Sequence, residues 1–241
     1  MRKFSVSDNK TVGGVLLNFV IAAASLFANG FGIYLTMRAS IGAAPWDVLS
    51  LGLSKTLGIL YGTASISVSI TILIIDILLK EPIGFAMVLD AIVVGKSVDF
   101  FNMIDIVPSP ESLPGSIGML LLGLVIIGYT QLFYMRAALG CGPRDTLLVG
   151  LKKRLQRIPI GLVSIGLLST ATLIGYLLGG PVGIGTLLCA FLQGPIMQLA
   201  FRSLSFDATA VRHQRFSETL AVFTAALKGH RCILGRNRKH A

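Results

Sequence analysis

Charged residues are scarce in this sequence. Only 13% of its 241 residues are Asp, Glu, Lys or Arg, whereas 54% are hydrophobic, and the mean hydropathy is +0.79. In a soluble domain about a quarter of the residues are charged. So few polar side chains cannot cover so much apolar surface, and this excludes an ordinary water-soluble globular domain.

Cysteine and histidine are also rare. There are three cysteines, Cys141, Cys189 and Cys232, and the three histidines all lie near the C-terminal end. No Cys-x-x-Cys or His-x-x-x-His pair occurs, and an odd cysteine count argues against a set of disulfides. We therefore predict reduced thiols, no metal site and no cofactor. No Ser/His or paired-Asp arrangement has catalytic spacing, so we also predict that the protein is not an enzyme.

Long apolar runs are abundant instead. A membrane-spanning helix needs about 20 mainly apolar residues. Six runs of this kind occur, at residues 13–37, 59–79, 83–101, 115–135, 159–179 and 182–202. Because a backbone in lipid must satisfy its hydrogen bonds internally, each run is predicted to be helical. The expected fold is an all-α integral membrane protein with six transmembrane helices.

The basic residues are distributed unevenly between the two sides of the predicted membrane. Of the 21 Lys and Arg residues, 18 fall in the N-terminal segment, the second and fourth loops and the C-terminal tail, and two fall in the first loop. Loops rich in Lys and Arg stay in the cytoplasm, so we predict a multi-pass protein of the cell membrane with both termini cytoplasmic. The net charge of +10 then reflects topology and attraction to the lipid bilayer, and we predict no nucleic-acid partner.

One stretch of the sequence occurs nearly twice. Residues 37–55 read "MRASIGAAPWDVLSLGLSK" and residues 135–153 read "MRAALGCGPRDTLLVGLKK", with identical residues at ten of the 19 paired positions. The offset is 98 residues, and it becomes 99 further on, where "GTASI" (62–66) pairs with "GLVSI" (161–165). We interpret this as two copies of one unit, each with a helix, a short helix and two further helices.

Each copy has three predicted spans, which is an odd number, so the second copy enters the membrane in the opposite sense. Such inverted-topology repeats recur in secondary transporters, with the working site between them. The predicted organisation has five parts: a cytoplasmic N-terminus (1–12), the first repeat (13–101), an external loop (102–114), the second repeat (115–204) and a basic cytoplasmic tail (205–241).

The repeated stretch contains a G-x-x-P-x-D pattern in both copies. Proline suits the first position of a helix, so Pro45 and Pro143 are predicted to begin the two short helices. Asp47 and Asp145 follow two residues later, where a carboxylate could accept the free N–H groups of the first turn. Two interpretations remain open: these residues only start helices, or the two helix N-termini border a substrate pathway. Each short helix could dip into the membrane or lie along its surface.

Asp90 is the most unusual ionisable residue within a predicted span. A charge at this depth in a bilayer costs roughly a few kcal/mol, and the equivalent residue of the second copy is Cys189. Asp90 is therefore either a proton- or ion-coupling carboxylate or a neutral, hydrogen-bonded residue of a helix contact. Lys96 and Asp99, three residues apart on one helix face, are expected to pair. The predicted pathway residues are Pro45, Asp47, Asp90, Pro143 and Asp145.

The doubled G-x-x-P-x-D pattern with its following "LSLGLSK", and the stretch "PVGIGTLLCAFLQGPIMQL", carry a resemblance across residues 13–204. They resemble the YczE/YitT-type bacterial integral membrane proteins, a largely uncharacterised family. The resemblance implies a cytoplasmic-membrane protein and supplies no catalytic residues. Two functions remain: a transporter or channel-like protein for an unidentified small solute, and an accessory protein that stabilises or regulates a protein partner. Assembly into a homo-oligomer is open in both.

Overall fold

A computed structural model describes residues 12–206, together with residues 216, 218–220 and 224. Within these residues the chain is helical and has no strand, as the sequence predicts. In residues 12–206 eight helices follow one another: α1 (Val12–Arg38), α2 (Pro45–Leu57), α3 (Tyr61–Leu78), α4 (Phe85–Ile104), α5 (Leu113–Arg136), α6 (Pro143–Arg154), α7 (Ile160–Leu177) and α8 (Ile184–Ser203). The predicted N-terminal segment and almost all of the basic tail lie outside the described residues.

Five of the described helices, α1, α3, α5, α7 and α8, are long and apolar enough to cross a membrane. The remaining predicted span, which is the third along the chain, corresponds to α4. This helix has 20 residues and three charged side chains, Asp90, Lys96 and Asp99. Large apolar side chains are exposed on the outer faces of the long helices, among them Leu17, Ile74, Leu173 and Phe191. In a membrane protein these faces contact lipid.

The two short helices begin where the sequence predicts. Pro45 is the first residue of α2 and Pro143 is the first residue of α6, and neither helix has a side-chain cap. The predicted capping role of Asp47 and Asp145 is therefore wrong. Both aspartates lie in the first turn of their helices, and the hydrogen bonds that their carboxylates accept come from residues of other helices, as described below.

The two copies contact one another through equivalent positions. The amide of Gly185 donates to the carbonyl of Ile41 at 2.7 Å, and the amide of Ala86 donates to the carbonyl of Leu139 at 3.1 Å. Ile41 and Leu139 are paired by the 98-residue offset, and Ala86 and Gly185 by the 99-residue offset. Each copy thus supplies the acceptor of one hydrogen bond and the donor of the other.

The short helix of each copy packs on a helix of the other copy. Helix α2 packs on α7 and α6 packs on α3, while α1 contacts α4 and α5 contacts α8. The largest interface joins α1 and α5, where Gly32 and Gly123 face each other. A Cβ added at Gly32 would lie 2.9 Å from the carbonyl oxygen of Gly123. Small residues permit this close helix approach, which is common in membrane proteins.

One pair of equivalent interfaces differs between the copies. Helices α3 and α4 pack closely: a Cβ at Gly95 would lie 2.8 Å from the carbonyl oxygen of Gly62, and Asp99 accepts a 2.7 Å hydrogen bond from the Gly62 amide. The equivalent residues of α7 and α8, Gly161 and Gly194, have no neighbour within 4 Å of an added Cβ. Helices α7 and α8 therefore hardly touch.

The contact of Asp99 also corrects a prediction. Lys96 and Asp99 form no ion pair in the part of the chain that the structure describes. Asp99 points instead to the start of α3, where its carboxylate meets an N–H group without an intrahelical partner. The side chain of Lys96 is exposed on the outer face of α4.

Candidate functional site

A cavity of about 350 Å³ lies between the two copies, and all eight helices contribute to its wall. Four of the five predicted pathway residues line it: Pro45, Asp47, Asp90 and Asp145. Pro143 is buried at the start of α6 and is not among the lining residues. The structure thus brings together residues that are far apart in sequence, and their role in transport stays a prediction.

Asp47 lies in a well-satisfied part of the wall. It is 3% exposed, and its Oδ1 accepts a 2.8 Å hydrogen bond from the hydroxyl of Tyr61. The same oxygen lies 3.9 Å from a guanidinium nitrogen of Arg144. The charge on Asp47 is therefore balanced by a cation from the other copy.

Arg144 and Trp46 occupy equivalent positions of the two repeats, and they meet in the cavity. The guanidinium carbon of Arg144 lies 5.4 Å from the centre of the Trp46 ring. A guanidinium over an aromatic face is attracted by the ring quadrupole. The position at which tryptophan and arginine replace each other in the two copies therefore forms a direct contact between them.

Asp90 and Asp145 both point to the space beside Gly142. A Cβ at Gly142 would be 3.2 Å from Oδ2 of Asp90 and 3.7 Å from Oδ2 of Asp145. Gln131 Nε2 donates to Asp145 Oδ2 over a long 3.4 Å. Asp90 forms no hydrogen bond or ion pair with any described residue, so the structure offers no partner for a purely structural role in a helix contact.

Tyr134 is a further residue of the cavity wall. Its side chain is 2% exposed and lines the cavity, and its hydroxyl has no hydrogen-bond partner among the described residues. Buried hydroxyls are nearly always hydrogen-bonded. An unpartnered one beside two carboxylates indicates a place where water or a ligand binds.

The groups outside the spanning helices have perturbed protonation equilibria. Burial raises the pKa of Asp47 and of Asp145, and the Arg144 guanidinium opposes this change at both carboxyls. Burial, together with the nearby Asp145 carboxylate, raises the pKa of the Cys141 thiol to about 12. Cys141 therefore stays a neutral thiol at physiological pH. Cys141 and Cys189 are unbridged in the structure, and the reduced state of the thiols stays a prediction.

The cavity wall is incomplete between α7 and α8. Ser164 and Leu167 of α7 line the cavity from one side, and Gln193 and Gly194 of α8 line it from the other. Because these two helices hardly touch and Gln193 is exposed, the cavity opens laterally at this point. The equivalent side, between α3 and α4, is closed by the Gly62–Gly95 contact.

Sequence reasoning missed several residues of this site. None of the sequence patterns described above selects Tyr61, Gln131 or Tyr134. A usable signal existed for Arg144, because it stands at the position of the repeated stretch that is paired with Trp46. No comparable signal existed for Tyr134, because a tyrosine within an apolar run does not reveal whether its hydroxyl is paired.

Comparisons with known proteins agree with a membrane assignment. The chain is 30% identical over 188 residues to the uncharacterized membrane protein YczE of Bacillus subtilis, which covers 77% of this chain and 86% of that protein. It is 31% identical over 169 residues to an uncharacterized protein of Haemophilus influenzae, covering 70% of this chain and 76% of the relative. The uncharacterized protein YyaS of Bacillus subtilis is 30% identical over 176 residues, covering 70% of this chain and 84% of YyaS. No solved structure matches the chain.

The resemblance to YczE that the repeated motif indicates is thus confirmed. Residues 16–202 match a family of unknown function, DUF6198. This range contains all of the residues that line the cavity and both short helices. The protein is a multi-pass helical membrane protein, and it belongs to the DUF6198 family.

Proposed function

We propose that this protein is a transporter or channel-like protein that moves a small solute through the central cavity. The observation that carries this proposal is the cavity itself, where the starts of two short helices and the ionisable residues Asp47, Asp90, Arg144 and Asp145 face one space. A charge held between apolar helices is costly, and in membrane proteins such residues mark substrate and ion pathways.

The proposed architecture has six spans arranged as two inverted repeats, with α4 as the third span. Two of the three charges on α4 are turned towards protein: Asp90 lines the cavity and Asp99 accepts from the Gly62 amide. Only Lys96 is exposed; it lies eight residues before the end of α4, and its long side chain can extend its ammonium group towards the membrane surface. The reciprocal hydrogen bonds of Ile41 with Gly185 and of Leu139 with Ala86 support a two-fold relation between the repeats.

The proposed topology places both termini in the cytoplasm of a cell membrane. Contacts between loops support it, because they join segments assigned to the same side. On the external side Arg38 pairs with Asp105, and on the cytoplasmic side Lys153 pairs with Glu81. The amide of Phe216, in the tail, donates to the carbonyl of Ile83 in the second loop at 2.9 Å.

Cysteine labelling tests this topology. An impermeant thiol reagent applied to intact cells is expected to modify a cysteine placed at Ser109, in the external loop, and to spare native Cys232. Background from Cys141 should be low, because its pKa of about 12 leaves little thiolate. Labelling of Cys232 in sealed cells would show that the tail is outside and would reverse the proposed orientation.

The opening between α7 and α8 is the proposed entrance for the solute. In a second state, α7 and α8 would close onto each other through Gly161 and Gly194, as α3 and α4 do through Gly62 and Gly95. Gln198 occupies the position equivalent to Asp99, so its amide oxygen could accept from the Gly161 amide in the closed state. Exchange between two such states would expose the cavity alternately, as inverted repeats permit.

Swelling of proteoliposomes tests transport without knowledge of the natural solute. We expect faster swelling than in protein-free liposomes in a gradient of at least one probe among methylammonium chloride, sodium acetate, glycine and glycerol. Ser164→Trp should abolish the difference, because it places a large ring in the cavity wall. Ser169→Trp is the matched control on the exposed face of α7 and should retain it. Equal rates with and without protein for all four probes would count against transport.

The alternative function is that of a membrane accessory protein. Its support is the basic tail, which has eight Lys and Arg residues from Arg202 to Lys239. Removal of residues 207–241 distinguishes the two functions. A transporter is expected to keep its solute flux in proteoliposomes, whereas an accessory protein is expected to show no flux with or without the tail and to lose a co-purifying partner.

A further inference from the structure

The two halves of the cavity have different charge balances, and the difference follows from the repeat. In one half Asp47 is balanced by Arg144 at 3.9 Å. In the other half the residue equivalent to Arg144 is Trp46, which has no charge to offer Asp145. The residue equivalent to Asp90 is Cys189, so the second carboxylate also has no counterpart across the repeat. The cavity therefore holds three carboxylates, Asp47, Asp90 and Asp145, and a single guanidinium, Arg144, which acts on Asp145 as well as on Asp47. The excess of negative charge lies with Asp90 and Asp145.

The acidic half also has unused hydrogen-bonding capacity. Asp90 has no hydrogen bond within the described part of the chain, and the single bond of Asp145, from Gln131, is 3.4 Å long. The hydroxyl of Tyr134 is buried and unpartnered among the described residues. The three groups lie along the wall formed by α4, α5 and α6, and both carboxylates face the space beside Gly142.

We infer that this half of the cavity binds a small organic cation with several N–H donors, of the primary ammonium or guanidinium class. Its N–H groups would donate to Asp90, Asp145 and the Tyr134 oxygen, and its charge would offset the carboxylates that Arg144 leaves unbalanced. The inference rests on the proposed function, since it names the solute class of the same cavity. Charge-assisted hydrogen bonds of this kind are stronger than those between neutral groups.

The geometry favours an organic cation over a bare metal ion. A cavity of about 350 Å³ is far larger than a bare metal ion and can hold a molecule of several heavy atoms. In addition, no group of three or more His, Cys, Asp and Glu side chains in the described residues is arranged to hold a metal ion.

Thermal unfolding of the purified, full-length protein in detergent tests the inference. A ligand that binds only the folded state raises the midpoint temperature as its concentration rises. We expect a saturable increase with low millimolar methylammonium or guanidinium, and no increase with sodium or with acetate at the same ionic strength. Asp145→Asn and Asp90→Asn should each weaken the apparent affinity at least tenfold. The matched control Glu111→Gln removes one carboxylate in the exposed external loop and should leave the affinity unchanged.

Tyr134→Phe gives a second measurement that does not depend on removing charge. It deletes a hydroxyl that has no partner among the described residues, so the ligand-free protein should be at least as stable as the wild type, while methylammonium binds more weakly. Stabilisation by acetate or by sodium alone would overturn the solute class, as would unchanged methylammonium affinity in Asp145→Asn. Saturable binding without flux in proteoliposomes would refute transport and retain the cation site. Flux of an uncharged probe without cation binding would refute the cation site and retain transport.

Discussion

Alanine at Gly95 is expected to lower the free energy of unfolding by about 1–3 kcal/mol, the usual effect of overpacking, whereas alanine at the equivalent Gly194 leaves it nearly unchanged. A Cβ at Gly95 would lie 2.8 Å from the carbonyl oxygen of Gly62 and 3.1 Å from a side-chain carbon of Ile66. The backbone of α3 cannot rotate away as a flexible side chain could. At Gly194 no atom of another helix lies within 4 Å of the added carbon. Alanine favours the helix over glycine by up to about 1 kcal/mol, but Pro195 follows within α8 and a Cβ before proline disfavours the helical backbone, so the two effects largely cancel.

The same pair of variants tests whether α7 and α8 must close. If the second state uses a Gly161–Gly194 contact, then Gly194→Ala folds normally and loses flux in proteoliposomes, because the added methyl group obstructs only the closed state. Thermal unfolding in detergent and the swelling assay together measure both properties. Equal destabilisation of the two variants would show that α7 and α8 are packed like α3 and α4. A Gly194→Ala protein that is both stable and active would remove closure from the mechanism.

The positions of the helices could be predicted from the sequence because length and apolar character decide them. The six apolar runs became helices with ends shifted by a few residues, and Pro45 and Pro143 began the short helices because the proline N–H is absent where none is needed. The repeat also carried information on packing: the hydrogen bonds Ile41–Gly185 and Leu139–Ala86 join paired positions of the two copies.

The chemistry of the site could be predicted only in part, because it depends on contacts between distant segments. The spacing within the G-x-x-P-x-D motif suggested that Asp47 would cap its own helix. In the folded chain Tyr61 and Arg144 are closer partners, and tertiary contacts decide the orientation of the side chain. The open side between α7 and α8 could not be predicted either, since Gly62 with Gly95 and Gly161 with Gly194 have the same sequence spacing.

Asp90→Asn is expected to reduce the uptake of radiolabelled methylammonium in proteoliposomes at least tenfold while the protein still folds. Asparagine keeps the shape of the side chain but removes the charge that faces the cavity beside Gly142. Asp90→Leu should reduce uptake equally and should not destabilise the protein, because Asp90 has no hydrogen bond to lose within the described residues. If Asp90 joined helices instead, leucine would lower stability by roughly 0.6–2 kcal/mol, the size of an interhelical hydrogen bond in lipid, and asparagine would be tolerated.

Asp99→Asn is the matched control, because it removes a carboxylate from the same helix outside the cavity. Its amide oxygen can still accept the hydrogen bond from the Gly62 amide, which Asp99 accepts at 2.7 Å, so both folding and uptake should be retained. Uptake and thermal unfolding are to be measured on the same preparations of all three variants. Full uptake in Asp90→Asn would exclude a charge requirement at this position. Loss of uptake in both Asp90→Asn and Asp99→Asn would show that any change of charge on α4 disturbs the protein. Loss in the two Asp90 variants alone, at unchanged stability, would assign the effect to the carboxylate that faces the cavity.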